Sequence, residues 1–334
     1  MIRVDFDPSQ LTGEQRAWWA VWEQRAAMAT REIIQKWEAS ETISSEADFD
    51  PRIWGELKVW LLRHFFNYKC AYCETDVRRQ RQEMEHYRPK AGVNYREAGK
   101  RTLTLPEVEW LPGQRIKHPG YFWLAYHWKN LLPCCGPCNS GAGKKNQFPV
   151  ADPAVRPHLL LHPLTPGQLP AYLQPPAECG KRPGHYYLDP DGLDAREEPL
   201  LLNPYVHDPR QHLRFGDKGI EAARQDSGSR PSPLGVNSIE VYDLKSEGLR
   251  GLRAEAQGNA ETMLLLAFMA AKTQQPQAAR TQWLDDAYRT TVNSLTSANG
   301  VYLAAALDWI DQVHQDPGLL FLGARVPVPN HPSP

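Results

Sequence analysis

Two C-x-x-C pairs, Cys70/Cys73 and Cys135/Cys138, constrain this chain more than anything else in it. Each pair puts two thiolates on one tight turn, and two such turns supply the four soft ligands of a closed tetrahedral zinc site. A redox C-x-x-C would sit near a βαβ unit and would leave the second pair unexplained. With sulfur in all four positions, zinc is a structural staple with no place for a catalytic water. The chain has six cysteines, four of them in these pairs, which fits metal binding in a reducing compartment better than disulfides. Cys134 and Cys179 are left over, since only Cys135 has the two-residue spacing to Cys138.

Folding the pairs onto one zinc gathers what lies beside them. Glu85 and His86 fall in the first limb, and Asn130 and Asn139 flank the second pair. Between Arg78 and Arg101 stand eight basic residues (Arg78, Arg79, Arg81, Arg88, Lys90, Arg96, Lys100, Arg101) against three acidic ones (Glu83, Glu85, Glu97). A charge run is ordinarily a solvated face, but this one surrounds His86. The order C-x-x-C, EHYRPK, W-x-N-L-L-P-x-C-x-x-C-N resembles the HNH endonucleases, whose ββα-metal fold carries the first His on a β-hairpin and the last His or Asn on the following helix. EHYRPK, YFWLAYHWKNLLPCC, the Lys-rich FP after CN, PLLLNPYVHDPRQHLRF and SIEVYDLKSEGLRGLR are similar to the PtuB-type HNH subunits of Septu-type and retron-linked anti-phage systems. The resemblance spans roughly Cys70 to Arg253.

The expected roles follow. His86 is the candidate general base, because a neutral imidazole can deprotonate water near physiological pH without a second carboxylate. A lone His is more often a satisfied structural residue; this one lies between an acid and a basic Arg88-Pro89-Lys90, unlike the other ten. Glu85 and Asn139 are candidate ligands of one hard divalent cation, Mg²⁺ or Mn²⁺. The family often has Asp before the base His, so Glu85 is longer by one methylene. Asn139 also reads as a helix N-cap, and Asn130 as a brace whose amide satisfies backbone groups across a turn. Arg88, Lys90, Lys144 and Lys145 are candidate phosphate contacts. Ser140 to Gly143 places two glycines where the metal helix would continue, each costing about 1 kcal/mol relative to Ala.

The other segments frame this core. Leu11 to Trp37 has apolar residues at helical spacing, including Trp18, Trp19, Trp22 and Trp37; Trp18 and Trp22 are expected in the chain's own core. Asp50-Pro51 opens a second helix leading to Cys70. Pro89 to Pro119 reads as polar and irregular, and Tyr121 to Trp128 as an aromatic packing segment. Twelve prolines from Ala151 to Pro209 predict a wrapping segment with short strands at His185–Leu188 and Leu200–Leu202. Helical patterns return from Asn237, over Met263 to Ala271, Trp283 to Leu295 and Val301 to Val313.

The fold class expected is α+β, mostly helical, with an embedded zinc-stapled ββα-metal core. It divides into a helical region (1–68), the nuclease core (69–150), the Pro-rich segment (151–236), a C-terminal helical region (237–326) and a disordered tail (327–334). The 334 residues carry 38 Lys and Arg against 39 Asp and Glu, so phosphate binding must come from a local patch and not from an overall field. Met1 to Gln10 lacks an apolar signal core, and the longest apolar run, Met263 to Ala271, is too short to span a bilayer; a cytoplasmic protein is expected. No phosphate-binding G-x-x-x-x-G-K-[ST] occurs. The resemblance therefore implies a separate ABC- or SMC-like ATPase partner, PtuA-like, alongside DNA or RNA as substrate. Two other classes compete: a non-catalytic zinc-ribbon module, which has no reason to set Glu85, His86 and Asn139 together, and a helical scaffold with a relic core.

Overall fold

The computed structural model describes residues 1–39, 43, 47–96, 102–111, 114–140, 143–153, 189–216, 219–225, 230–271 and 302–315, with single positions 282, 286, 289, 290 and 294. It is a mixed helix-and-strand protein, and two compact units divide it. One comprises Phe6–Leu61 and Gln82–Leu201; the other comprises Met1–Asp5, Leu62–Arg81 and Leu202–Pro334.

The first unit opens with helix α1 (Gly13–Glu38). Its buried stripe of Trp19, Trp22, Ala26, Ile33, Ile34 and Trp37 follows the helical spacing of the sequence. Trp18, expected inside, is half-buried and stacks on Trp60 with ring centroids 4.9 Å apart. Helix α2 (Pro51–His64) starts as its Asp-Pro signal predicts, with the N–H of Arg52 donating to Asp50 Oδ1 at 2.9 Å. The Trp22 indole donates to the Ile53 carbonyl at 2.9 Å, locking the two helices.

Strand β1 (Gln82–His86) follows, then β2 (Tyr95–Arg96), β3 (Leu103–Thr104), β4 (Glu107–Leu111), β5 (Gln114–Lys117) and β6 (Leu131–Cys135). β1 pairs antiparallel with β6, setting Glu85 opposite Leu132 and His86 opposite Leu131. The stretch from Pro89 to Pro119 is more regular than its polarity suggests: β2 pairs with β3 and β4 with β5, and Val108 anchors the second ladder by full burial. Tyr121, Phe122, Trp123 and Leu124 are all buried, and the Phe122 ring lies 4.9 Å from that of Trp37 on α1. Helix α3 (Gly136–Asn139) leaves β6 directly and ends after four residues.

Helix α4 (Pro190–Glu197) closes this unit, capped by Asp189, whose side chain accepts the Gly192 N–H. The expected strand at Leu200–Leu202 is not formed. The residue before it, Pro199, makes an isolated bridge to Val150, directly after the chain leaves α4 through Glu198 in a left-handed conformation. The expected strand at His185–Leu188, Cys179 and the tail 327–334 lie outside the described residues.

The second unit holds the β7 (Leu213–Gly216) and β8 (Gly219–Ala222) ladder, the short β9 (Arg224–Gln225) and β10 (Arg230–Pro231) pair, and helices α5 (Pro233–Val241), α6 (Glu247–Ala271) and α7 (Leu303–Gln315). Leu213, Phe215, Ile220, Leu303, Leu307 and Ile310 are buried in its core, and the Phe215 N–H donates to Asp308 at 2.6 Å. The helix expected over Trp283 to Leu295 falls almost wholly outside the described residues. Among the described residues, no helix is long and apolar enough to cross a membrane.

Candidate metal centre and active site

The Sγ atoms of Cys70, Cys73, Cys135 and Cys138 all lie within 4.8 Å of one another, and all four residues are buried. Four thiols at that separation match the donor set and size of a tetrahedral zinc site, so these cysteines can hold a zinc ion. Cys134, on β6 opposite Glu83, is buried and stands outside the cluster.

A second centre forms where β1 runs out against the end of α3. A cavity of about 150 Å³ is lined there by Glu85, His86, Lys90, Asn139 and Lys145 together with Met84, Pro89, Ala91 and Asn146. Five of the residues singled out from sequence therefore share one cavity.

His86 is buried, and its Nε2 lies 3.1 Å from the carbonyl oxygen of Ala125. A carbonyl only accepts, so Nε2 carries the proton and Nδ1 is left as the basic nitrogen. The ring packs edge-to-face with Trp54, the ring centroids 5.0 Å apart. Burial, and next the positive charge of Lys90, hold the imidazole well below its ordinary range, so it is neutral near pH 7.

Glu85 is buried, and its Oε1 accepts from Lys144 Nζ at 2.6 Å. Burial pushes this carboxyl up, and Lys144 pulls it back down. Asn139 closes α3, and Cys135 occupies the N-cap position, so the N-cap reading of Asn139 is corrected. Its Nδ2 donates to Glu83 Oε2 at 2.6 Å, which leaves the amide oxygen as the acceptor or ligand end of the side chain. A carboxylate and an amide oxygen in one cavity are the hard ligands that Mg²⁺ or Mn²⁺ takes, and the site fits such an ion on that ground.

Asn130 takes the bracing role read from the sequence, whereas two predicted phosphate contacts, Arg88 and Lys144, are used differently. Asn130 is a brace: its Oδ1 accepts the Arg88 N–H at 2.6 Å, and its Nδ2 donates to the carbonyls of Arg88 at 3.0 Å and Leu124 at 3.1 Å. Arg88 is 1% exposed, and its guanidinium is paired with Glu197 and Asp194 of α4 between the rings of Tyr121 and Phe148. Lys144 is fully buried and donates to Glu85, to the His86 carbonyl at 2.9 Å and to the Lys145 carbonyl at 3.3 Å. Neither cation is placed to meet a phosphate, because each is already desolvated against a carboxylate. Lys90 and Lys145 remain for that role. The Lys90 ammonium lies 5.2 Å from the centre of the Trp54 ring, and Lys145 is exposed.

The glycines after Asn139 have a local reason. A Cβ on Gly143 would lie 2.3 Å from the Cys138 carbonyl oxygen, so only glycine lets the chain turn back against α3. That turn is what carries Lys144 to Glu85. Gly120 is a comparable case: its φ is +89°, and a Cβ would lie 2.6 Å from the Ala91 nitrogen at the cavity wall. Gly120→Ala is expected to cost about 1–3 kcal/mol from backbone strain alone, read as a lower urea midpoint at unchanged m-value. A wild-type midpoint would show that Ala91 yields at no cost.

Breaking the Arg88 pair has a larger expected cost. Arg88→Met leaves Glu197 buried without its cation and should lower stability by about 3–5 kcal/mol, with most of this recovered in Arg88→Met/Glu197→Gln. Equal midpoints for the single and double variants would contradict the pairing.

No protein-family model and no solved structure matches the chain. Over 202 residues it is 33% identical to the Septu protein PtuB of Bacillus mycoides (strain KBAB4). The chain is a homologue of that PtuB protein. The match takes in 60% of this chain, which spans about half the length of the relative, 51%.

Two residues of the site were not singled out from sequence: Glu83, which orients Asn139, and Glu197, which neutralises Arg88. Glu83 stood within reach of pattern reasoning, since residues two apart on a strand share a face and Glu85 is two residues on. Glu197 had no such signal, being 109 residues from Arg88.

Proposed function

We propose that this chain is a metal-dependent HNH endonuclease working as a subunit of an anti-phage defence system. The observation that carries this reading is the cavity in which a neutral buried imidazole, a carboxylate, an amide oxygen and two lysines converge. His86 accepts the proton of the attacking water at Nδ1, while its Nε2–H is held by the Ala125 carbonyl through the proton transfer. Glu85 and Asn139 would hold Mg²⁺ or Mn²⁺, which when bound neutralises the scissile phosphate and stabilises the leaving oxygen. Lys90 and Lys145 draw the phosphate backbone towards the cavity. The four cysteines would hold a structural zinc.

Likeness to a Septu protein supports the defence role. An ATPase partner, PtuA-like and ABC- or SMC-related, accords with the near-neutral net charge, which gives this chain no long-range field to find nucleic acid unaided. A bare zinc-ribbon module would need the cysteines and the lysines but not a carbonyl-locked imidazole beside two hard oxygens.

The test is incubation of zinc-loaded protein with plasmid, single-stranded DNA and total RNA, with Mg²⁺, Mn²⁺ or EDTA, alone and after co-expression with a PtuA-like ATPase. Metal-dependent cleavage of one substrate class and co-elution of the two proteins are expected. Absence of cleavage under every condition returns the chain to the binding-module reading. Separate elution, with a rate indifferent to the ATPase, removes the partner.

A further inference from the structure

Lys144 lies behind the cavity wall, against its lining residue Glu85. Its ammonium is fully buried and spends its hydrogens on Glu85 Oε1 at 2.6 Å and the carbonyls of His86 at 2.9 Å and Lys145 at 3.3 Å. The close turn at Gly143 exists to bring it there. Its effect on the cavity is a matter of charge. Glu85 and Glu83 are the carboxylates of the site; Lys90, Lys144 and Lys145 are its cations. Three positive charges stand against two negative ones, so the site as built carries one net positive charge. A hard divalent cation approaching Glu85 therefore meets a carboxylate whose charge is already answered by an ammonium in a poorly hydrated place, where repulsion between like charges is weakly screened. A phosphodiester removes that obstacle, since it adds negative charge between Lys90 and Lys145.

We propose that Lys144 is an internal counter-ion that makes metal capture at Glu85 and Asn139 depend on nucleic acid. The proposal rests on the nuclease reading above and adds a rule of order: the metal is held well only together with a phosphate. Lys144 touches neither substrate nor reacting atoms in this scheme, so it is a positioning residue acting through Glu85. The consequence is a site that stays empty of catalytic metal until nucleic acid arrives.

The alternative physical role, in which Lys144 only orients Glu85 for the metal, predicts the opposite sign. Removing an orienting group weakens metal binding, and removing a repelling charge strengthens it. The two are separated by Mn²⁺ binding, read from the spectrum of free Mn²⁺ or by calorimetry, without reference to activity. Zinc-loaded protein in a His86→Ala background, which prevents cleavage, is titrated with Mn²⁺ alone and in the presence of a single-stranded DNA or RNA oligonucleotide. Tightening of Mn²⁺ binding by tenfold or more with either oligonucleotide is expected, and by linkage Mn²⁺ tightens oligonucleotide binding by the same factor. Lys144→Met should bind Mn²⁺ alone at least tenfold more tightly than the parent and lose most of that coupling.

Mn²⁺ affinity indifferent to both oligonucleotides overturns the proposal, and so does a Lys144→Met variant that binds Mn²⁺ more weakly. If Lys144→Met does not fold, Lys144→Gln, which removes the charge and keeps a donor to Glu85, is expected to show the same tighter Mn²⁺ binding and lost coupling, and weaker or unchanged Mn²⁺ binding overturns the proposal. Glu85→Gln distinguishes the two layers: Mn²⁺ that binds it unchanged removes the metal site beneath both readings, whereas Mn²⁺ lost in Glu85→Gln but uncoupled from nucleic acid removes only the role of Lys144.

Discussion

A His86→Ala variant is expected to keep its zinc and its fold and to cleave nucleic acid about 10²–10⁴-fold more slowly than the wild type. The loss follows from what the ring does in the structure. Its protonated Nε2 is tied to the Ala125 carbonyl, and its buried position keeps Nδ1 free of a proton near pH 7, so no other group in the cavity is prepared to accept one from water. Glu85 is bound to Lys144, and Asn139 is not a base. Truncation also leaves the Ala125 carbonyl without its donor, at a cost of about 1–3 kcal/mol in stability. His86→Gln separates the two effects, since its amide can still donate to Ala125 but cannot act as a base. Both variants should be equally inactive, with His86→Gln nearer to wild type in melting temperature. Near-wild-type cleavage by either would place the base elsewhere.

Removing zinc should have the largest effect on the fold. One zinc per chain is expected by elemental analysis, and Cys70→Ser or strong chelation should abolish cooperative melting of the region around the four cysteines. The scale is set by structural zinc sites in small domains, where binding contributes about 10–16 kcal/mol near neutral pH, more than a typical domain's whole stability. The four buried thiols lie within 4.8 Å of one another, a spacing that one shared zinc ion accounts for. Soluble, folded protein with negligible zinc, or an unchanged melting profile for Cys70→Ser, would contradict the assignment.

Much of the site was legible because local spacing encodes it. The cysteine pairs fix four positions, and the EHYRPK stretch places Glu85 and His86 one strand away from them. The helices α1 and α2 were legible for the same kind of reason, an apolar stripe in one and an Asp-Pro start in the other. The Asp189-Pro190 start of α4 is the same signal, and it was hidden among the twelve prolines that made the whole segment read as irregular. The ends of charged side chains were not legible. Arg88 and Lys144 look like phosphate ligands in a basic run, yet each is buried against a carboxylate, one brought from 109 residues away and the other from 59. Sequence reports the charge of a residue; burial and partner come from tertiary packing, and these decide whether that charge faces a substrate.

The most direct measurement is the cleavage rate of zinc-loaded protein as a function of added Mg²⁺ or Mn²⁺, with wild type and Asn139→Ala compared at equal zinc content. The wild-type rate should rise from background to a plateau, and Asn139→Ala should need severalfold more metal to approach it, because the amide oxygen that Glu83 orients is one of two protein oxygens available to the ion. A rate that neither chelation nor added metal changes, or an Asn139→Ala curve that overlies the wild type, would contradict a metal-dependent nuclease built on Glu85, His86 and Asn139.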